Sequence, residues 1–474
     1  MLTPIEDFFN VITRTEGPVL IDATTPTRVT VSGVELTDWL DRLASLFASA
    51  GIVSGDRVIA VFDNTIESAL TLLAAMRHGV TLCIQPPDTD RAHLAEMEAA
   101  LGAKAVINAT RKTISQSLLI STDRLSPLNR LTPERVRPSF PFTITFTSGS
   151  TSTPKGIVHS AESYLSCAAA FNRQTDVTER DRFLNAMPMF YMAGIFNGIL
   201  APLASGASVV IADAFTTTAA MTFWRTIARE EITAAWLSPT MLSLVVRLDR
   251  TDKKLPSHMR RLFIGTGALS AADAEHFYST YGLVPQQSYG LSELLYVTVD
   301  DADTPDFGSS GIPLDGVRLT PEKNGPLSIS TPFAFLGYWI DGRFHPHSGP
   351  FVTSDLAEIS KRGTLVISGR SDDIIVRGGV NINPVEIESL LALLLDGRRY
   401  CILGVRDLSL GQRVILVTEG SLLSQARFVE AQMLIRRHPG RAQLDAQTHL
   451  PSIPLGPTGK VRRAAVRALL EDSK

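Results

Sequence analysis

Phe142-Thr143-Ile144-Thr145-Phe146-Thr147 runs directly into Ser148-Gly149-Ser150-Thr151-Ser152-Thr153-Pro154-Lys155-Gly156. The first six residues alternate apolar and hydroxyl side chains, the period-2 pattern of a half-buried strand. The rest is rich in hydroxyls, ends on a lysine and is followed by a helical pattern over residues 160–171. Hydroxyls, backbone N–H groups and one cation together suit a polyphosphate. The ordinary nucleotide-binding loop is excluded, because it ends in Gly-Lys followed by Ser or Thr. Pro154-Lys155-Gly156 stands here instead. A flexible polar surface loop is the plainer reading of the same composition, and the segment alone does not choose between the two.

Outward from this segment, β-rich apolar runs at 58–62, 105–108, 209–212 and 261–264 alternate with helical patterns such as 65–79. That alternation builds parallel sheets with helices on their faces, so about residues 1–300 are expected to be α/β. After Asp300 the texture changes. Gly308, Gly311, Pro313, Gly316, Gly325 and Pro326 separate short runs such as 327–330, which predicts tight turns and a small β-rich subdomain over about 301–369. From Arg370 onward 15 lysines and arginines face 11 aspartates and glutamates in a chain whose net charge is −3, so this tail is read as a separate small α+β domain, 370–474. A length of 474 residues exceeds what one core organises.

Bulk properties exclude several classes. Hydrophobic residues at 44% and charged residues at 20% describe a packed globular chain. A net charge of −3 lacks the basic excess that nucleic acid requires. Cys83, Cys167 and Cys401 lie too far apart in sequence for a zinc motif or a disulfide framework. The first ten residues carry Glu6 and Asp7 and no basic flank, so no secretion signal is read and a cytoplasmic location is expected. Residues 185–212 contain no charge and are long enough to span a bilayer. Pro188, Gly194, Asn197, Gly198, Pro202 and Gly206 interrupt them, and no membrane span is expected.

Five further segments give the hydroxyl-rich turn its context. Residues 147–156 closely resemble the phosphate loop of the adenylate-forming superfamily, which includes acyl-CoA synthetases, peptide-synthetase adenylation domains and luciferases. Ser152 stands where that family usually has glycine. The resemblance assigns Thr147, Ser148, Gly149, Ser150 and Thr151 to the nucleotide and Lys155 to its phosphates. Ser288-Tyr289-Gly290-Leu291-Ser292-Glu293 is similar to the segment whose aromatic ring lies along adenine. It implies nucleotide contacts from Tyr289 and Gly290, a catalytic role for Ser292 and magnesium held by Glu293 with Thr151. Gly265-Thr266-Gly267-Ala268 resembles the small-residue turn against purine and acyl group. Thr353-Ser354-Asp355 resembles the ribose-binding Thr-Gly-Asp. Residues 368–388 resemble the hinge region, with Arg370 on the nucleotide, Asp372 as pivot and Gly378-Gly379 beside the thiol channel. Residues 454–463 resemble the C-terminal loop whose lysine, here Lys460, serves adenylation.

The resemblance implies a large N-terminal domain, 1–369, and a mobile C-terminal lid. It implies attack of a carboxylate on the α-phosphate of magnesium-ATP, then transfer of the acyl group to the thiol of CoA or of a carrier-protein phosphopantetheine. Pro188-Met189-Phe190-Tyr191-Met192-Ala193-Gly194 resembles the substrate-side motif. Tyr191 cannot pair with an amino group as an aspartate would, which argues against an α-amino acid. Tyr191, Met192, Trp236, Gly265, Thr266, Leu291 and Leu295 are the expected acyl pocket, although aromatic and Met side chains are often plain core. The leading expectation is an acyl-CoA ligase. A stand-alone enzyme loading an acyl carrier protein, and a binding protein that has lost catalysis, remain the alternatives.

Overall fold

The apolar runs at 58–62, 105–108, 209–212 and 261–264 form the strands Arg57–Phe62, Val106–Ala109, Ser208–Ile211 and Arg261–Ile264. The structure is a computed structural model that describes residues 3–24, 28–110, 118–119, 136–147, 155–251, 253–322, 325–392, 394–395, 397–407, 409–436, 443–456 and 461–472, with 118–119, 147 and 471–472 as backbone only. By its contacts the chain divides into two units. One comprises Met1–Asp306, Gly311–Val317 and Ser330–Gly349, and the other comprises Phe307–Ser310, Arg318–Ile329 and Pro350–Lys474.

Among the described residues the first unit holds a nine-stranded and an eight-stranded sheet. In the nine-stranded sheet Arg182–Asn185, Ser208–Ile211, Ala234–Leu237, Arg261–Ile264 and Pro285–Leu291 run parallel, and Leu295–Val299 turns back antiparallel. In the other, Arg57–Phe62 pairs parallel with Thr81–Gln85 and Val106–Ala109. Residues 58–62 have no exposed surface, as expected of parallel strands covered on both faces. Helix Ile66–His78 matches the pattern read at 65–79. Thr65 caps its N-terminus by accepting from the Ser68 N–H, and Gly79 closes it at φ 69°.

Residues 155–160 form a strand, Lys155–Ser160, and the helix read at 160–171 follows it as Ala161–Thr175, capped by Ser160. Ile157 and Val158 are β-branched and buried, so they fill a sheet position better than a helix start. Lys155–Ser160 pairs antiparallel with Pro141–Thr147 on one side, Thr147 opposite Lys155, and with Gly337–Ile340 on the other. Residues 185–212 divide into short pieces, including the π-helical turn Phe196–Leu200. No helix among the described residues is long and apolar enough to cross a membrane.

In the second unit Phe351–Ile359 pairs antiparallel with both Pro326–Ser330 and Leu365–Arg370, the β-rich texture expected after residue 300. A five-stranded sheet follows and packs Ile402, Val414 and Leu416 against Ile387, Leu391, Phe428 and Ile435 of the helices Pro384–Leu391 and Gln425–Arg436.

One buried amide ties the carboxyl ends of the first unit's two sheets together. Asn64, just beyond Arg57–Phe62, donates to the carbonyls of Met187 (3.1 Å) and Ala212 (2.9 Å) and accepts from the Met189 N–H (2.9 Å). Asn64→Ala would leave these buried backbone groups unpaired and should lower stability by about 2–4 kcal/mol. The check is urea denaturation followed by tryptophan fluorescence; an unchanged midpoint would refute the tie.

Candidate active site

Arg261–Ile264 and Pro285–Leu291 are parallel neighbours, so the segments leaving their carboxyl ends emerge side by side. These are Gly265-Thr266-Gly267-Ala268 and Tyr289-Gly290-Leu291-Ser292-Glu293, two separately predicted site segments. Crevices at the carboxyl ends of parallel strands are where α/β sheets bind ligands. Two non-glycine residues here take the left-handed conformation, Thr266 (φ 66°) and Leu295 (φ 60°). Such strain persists only where the surroundings enforce it. The backbones approach closely beside Leu295: a Cβ on Gly290 would lie 2.2 Å from the Leu295 carbonyl oxygen, so glycine is required there.

Glu293 occupies the turn between Pro285–Leu291 and Leu295–Val299 and is held at three points. The Phe335 N–H donates to its carbonyl (2.8 Å), the Tyr338 hydroxyl donates to its Oε1 (2.9 Å), and His159 Nε2 donates to the neighbouring Ser292 carbonyl (2.7 Å). Lys155 lies on the same side, with Nζ 5.7 Å from the centre of the Tyr338 ring. The structure therefore brings Lys155, Ser292 and Glu293 together through two residues that the motifs did not identify, Tyr338 and His159. Sequence offered one faint signal for Tyr338: an aromatic run, Phe335 to Trp339, in an otherwise turn-rich region.

On the acyl side, Tyr191 caps the short helix Met192–Ile195, and Tyr191 and Met192 are half-buried. Asn185 orients this segment by donating to the Gly194 carbonyl (3.1 Å). Trp236 is 4% exposed and stacks on Tyr296, the rings 5.3 Å apart and 7° from parallel, with Phe263 and Phe171 around it. Gly265 faces its six-membered ring: a Cβ there would lie 3.0 Å from Trp236 Cζ3. Leu295 is buried and Leu291 half-buried.

The second unit carries another constellation. Asp355 and Arg370 are cross-strand partners, with Nη1 3.5 Å from Oδ1. Arg370 also grips Asp372 in a bidentate pair, Nε to Oδ1 at 2.9 Å and Nη2 to Oδ2 at 2.8 Å. Hydrogen bonding to Asp372 pushes the Arg370 guanidinium above its ordinary value, and the same bond pulls the Asp372 carboxyl down. Gly378 (φ 56°) and Gly379 (φ 80°) make the turn between Ile375–Arg377 and Val380–Ile382, where two successive left-handed residues suit glycine. Ser148, Gly149, Ser150, Thr151 and Lys460 lie outside the described residues, and Thr147 is described only in its backbone. Leu455 and Val461, on either side of the Lys460 segment, form an antiparallel bridge.

The sequence model of the AMP-binding enzyme family matches residues 13–339. The chain belongs to that family. This AMP-binding enzyme is 25% identical over 464 residues to a sulfoacetate–CoA ligase of Cupriavidus necator, covering 89% of each chain. It is 25% identical over 491 residues to a long-chain-fatty-acid–CoA ligase of Mycobacterium tuberculosis, covering 94% of each. Its fold matches the crystal structure of an anthranilate CoA ligase in complex with anthranoyl-AMP, with a TM-score of 0.84, 17% identity and coverage of 100% of this chain and 98% of the other. As a member of this adenylate-forming group it is an acid–thiol ligase that works through an acyl-AMP.

Burial pushes His159 down to about 4, so the ring is neutral at pH 7 and its Nε2–H tautomer serves Ser292. The folded value lies below the unfolded one. Stability is therefore complete above about pH 6.5 and declines as the pH falls towards 4, by up to about 3 kcal/mol for a fully buried ring. His78, pushed to about 4 mainly by burial, acts in the same direction, whereas Asp300, pushed up to about 6 by burial, acts in the opposite one. The difference between parent and His159→Gln isolates the ring. Urea midpoints of the variant should lose part of the decline between pH 6.5 and 4.5, and identical slopes would show that His159 is not neutral when folded.

Proposed function

We propose that this AMP-binding enzyme is an acyl-CoA ligase for a carboxylic acid with an apolar body. A carboxylate oxygen of the acid attacks the α-phosphorus of ATP and pyrophosphate leaves. The CoA thiolate then attacks the acyl carbon of the mixed anhydride and expels AMP. The observation that carries this reading is the convergence of Lys155, Ser292 and Glu293 beside the strands that flank the hydroxyl-rich turn.

In this reading Ser148, Gly149, Ser150 and Thr151 cradle the phosphates, and Lys155 adds positive charge. Gly267, Ala268, Tyr289 and Gly290 face the base, Asp355 accepts from the ribose hydroxyls, and Arg370 holds Asp355 in place. Glu293, with Thr151, is the magnesium ligand. The donor set fits that ion. Among the described residues no group of three or more acidic, His or Cys side chains gathers as a dedicated cage, and magnesium is commonly held by one or two carboxylates together with substrate phosphates. Magnesium supplies charge neutralisation on the phosphates when bound. Lys460 stabilises the charge that develops at the α-phosphate. Residues 370–474 act as the lid around Asp372, and Gly378-Gly379 lie along the thiol's path.

Tyr191 brings no negative charge for an amino group, and the half-buried Tyr191 and Met192 with the Trp236 stack favour an apolar acyl body. The two relatives are CoA ligases by name, which supports CoA over a carrier protein as acceptor. The proposed place of action is the cytoplasm, where ATP and CoA are both present. The test is pyrophosphate release from magnesium-ATP across aliphatic, aromatic and amino acids, followed by detection of the acyl-CoA. One class of acid without an α-amino group should drive release. Lys460→Ala should cut it by at least about 100-fold, the scale of losing a charge-stabilising contact. Preference for an α-amino acid, or no thioester from CoA, would overturn the proposal.

A further inference from the structure

Tyr338 lies outside every motif singled out in the sequence, yet touches two of the site's charged residues. Its strand, Gly337–Ile340, pairs antiparallel with Lys155–Ser160, Tyr338 opposite Ile157. That register sets the ring beneath the Lys155 ammonium, and the hydroxyl reaches Glu293 Oε1 at 2.9 Å. The strand's lead-in is fixed as well. The Phe335 N–H donates to the Glu293 carbonyl, and the Phe335 ring packs edge-on against the Tyr338 ring at 4.7 Å.

From this geometry we infer that Tyr338 is a positioning residue for the metal-bound nucleotide: its hydroxyl fixes the Glu293 carboxylate for the divalent cation, and its ring fixes Lys155 for the phosphates. The inference rests on the reading of Glu293 as metal ligand. A carboxylate on a turn has several rotamers. A donor bound to Oε1 selects one of them and leaves Oε2 to face the cation, the service that outer partners of metal ligands commonly perform. A cation over a ring is attracted to its face without losing its hydrogen-bonding capacity, so Lys155 is steered and still available to an anion. A tyrosine that merely stabilised the sheet would contribute to folding and leave the metal requirement unchanged.

The experiment measures binding directly. Mn2+ is titrated by electron paramagnetic resonance against enzyme saturated with α,β-methylene-ATP, and the Mg2+ midpoint of pyrophosphate release is measured in parallel. Tyr338→Phe keeps the ring and removes the hydroxyl. It should weaken Mn2+ binding and raise the Mg2+ midpoint about tenfold, the scale of losing an outer partner of a metal ligand. Nucleotide affinity without metal should stay within about twofold, because the ring beneath Lys155 remains. Tyr338→Leu removes both contacts and should also weaken metal-free nucleotide binding by about two- to fivefold. Glu293→Gln is the control. If it shifts the metal dependence while Tyr338→Phe, folded by circular dichroism and melting within a few degrees of the parent, does not, the positioning role is wrong. If Glu293→Gln itself leaves the metal dependence unchanged, the assignment of Glu293 fails and the inference falls with it. Loss of kcat in Tyr338→Phe without a metal shift would also overturn it.

Discussion

The pairing of one short strand on both its edges governs the side of this molecule proposed to hold the phosphates. Lys155–Ser160 hydrogen-bonds to Pro141–Thr147 along one edge and to Gly337–Ile340 along the other. The side-chain period of a strand is two residues, so this register decides what faces what. It sets Lys155 opposite Thr147, places Tyr338 below Lys155, and buries His159 where its ring reaches Ser292. A slip of one residue would turn Tyr338 to the opposite face and separate its hydroxyl from Glu293. The long connection from residue 160 to 337 thus ends on the strand that leaves the hydroxyl-rich turn.

Buried polar side chains do a second kind of work here: they hold irregular segments that cannot satisfy one another through regular secondary structure. Asn64 serves backbone groups at Met187, Met189 and Ala212, Asn185 serves Gly194, and His159 serves the Ser292 carbonyl. Buried backbone groups must find partners, and loops at the end of a sheet lack ladder neighbours. Each amide or imidazole therefore fixes a loop that the apolar core would leave loose. The carboxyl edge of the nine-stranded sheet is consequently built of short, individually tied segments, including a π-helical turn, a feature often found at functional sites.

Much of this was legible in the sequence wherever function and local pattern coincide. The strands near 58, 106, 209 and 261, the helix after Thr65 and the β-rich texture beyond residue 300 follow from periodicity and turn residues, which act over a few positions. Glu293 and Asp355 could be singled out as candidates because their motifs are contiguous. Tyr338 and His159 were not, because their importance comes from pairing between strands almost 180 residues apart, which local pattern does not encode. The strand at Lys155–Ser160 was missed for a related reason. Its two partners make it a strand, while a short apolar run before Ser160 is equally compatible with the start of the following helix. Trp236 shows the reverse case: its side chain was readily noticed, and its place in a stack with Tyr296, Phe263 and Phe171 depends on three other elements.

The charge arrangement in the second unit bears on how the proposed reaction divides its work. Arg370 is the cation of that constellation, but Asp355 and Asp372 both lie within ion-pair distance of it. Two carboxylates about one guanidinium leave the local sum negative, so in the proposed reaction Arg370 adds little net attraction for a triphosphate and serves instead to orient the Asp355 carboxylate. An acceptor held rigidly suits neutral ribose hydroxyls, which need direction more than charge. Phosphate neutralisation must then come from cations that are not already paired. Lys155 meets that requirement, being exposed and without a carboxylate partner among the described residues. In the proposed chemistry the sugar and the phosphates are therefore recognised by different means: a carboxylate held by a guanidinium for the first, and a lysine without a carboxylate partner together with a metal-holding carboxylate for the second. Developing charge on phosphorus requires groups whose charge is not already spent on a neighbour, and this division supplies them.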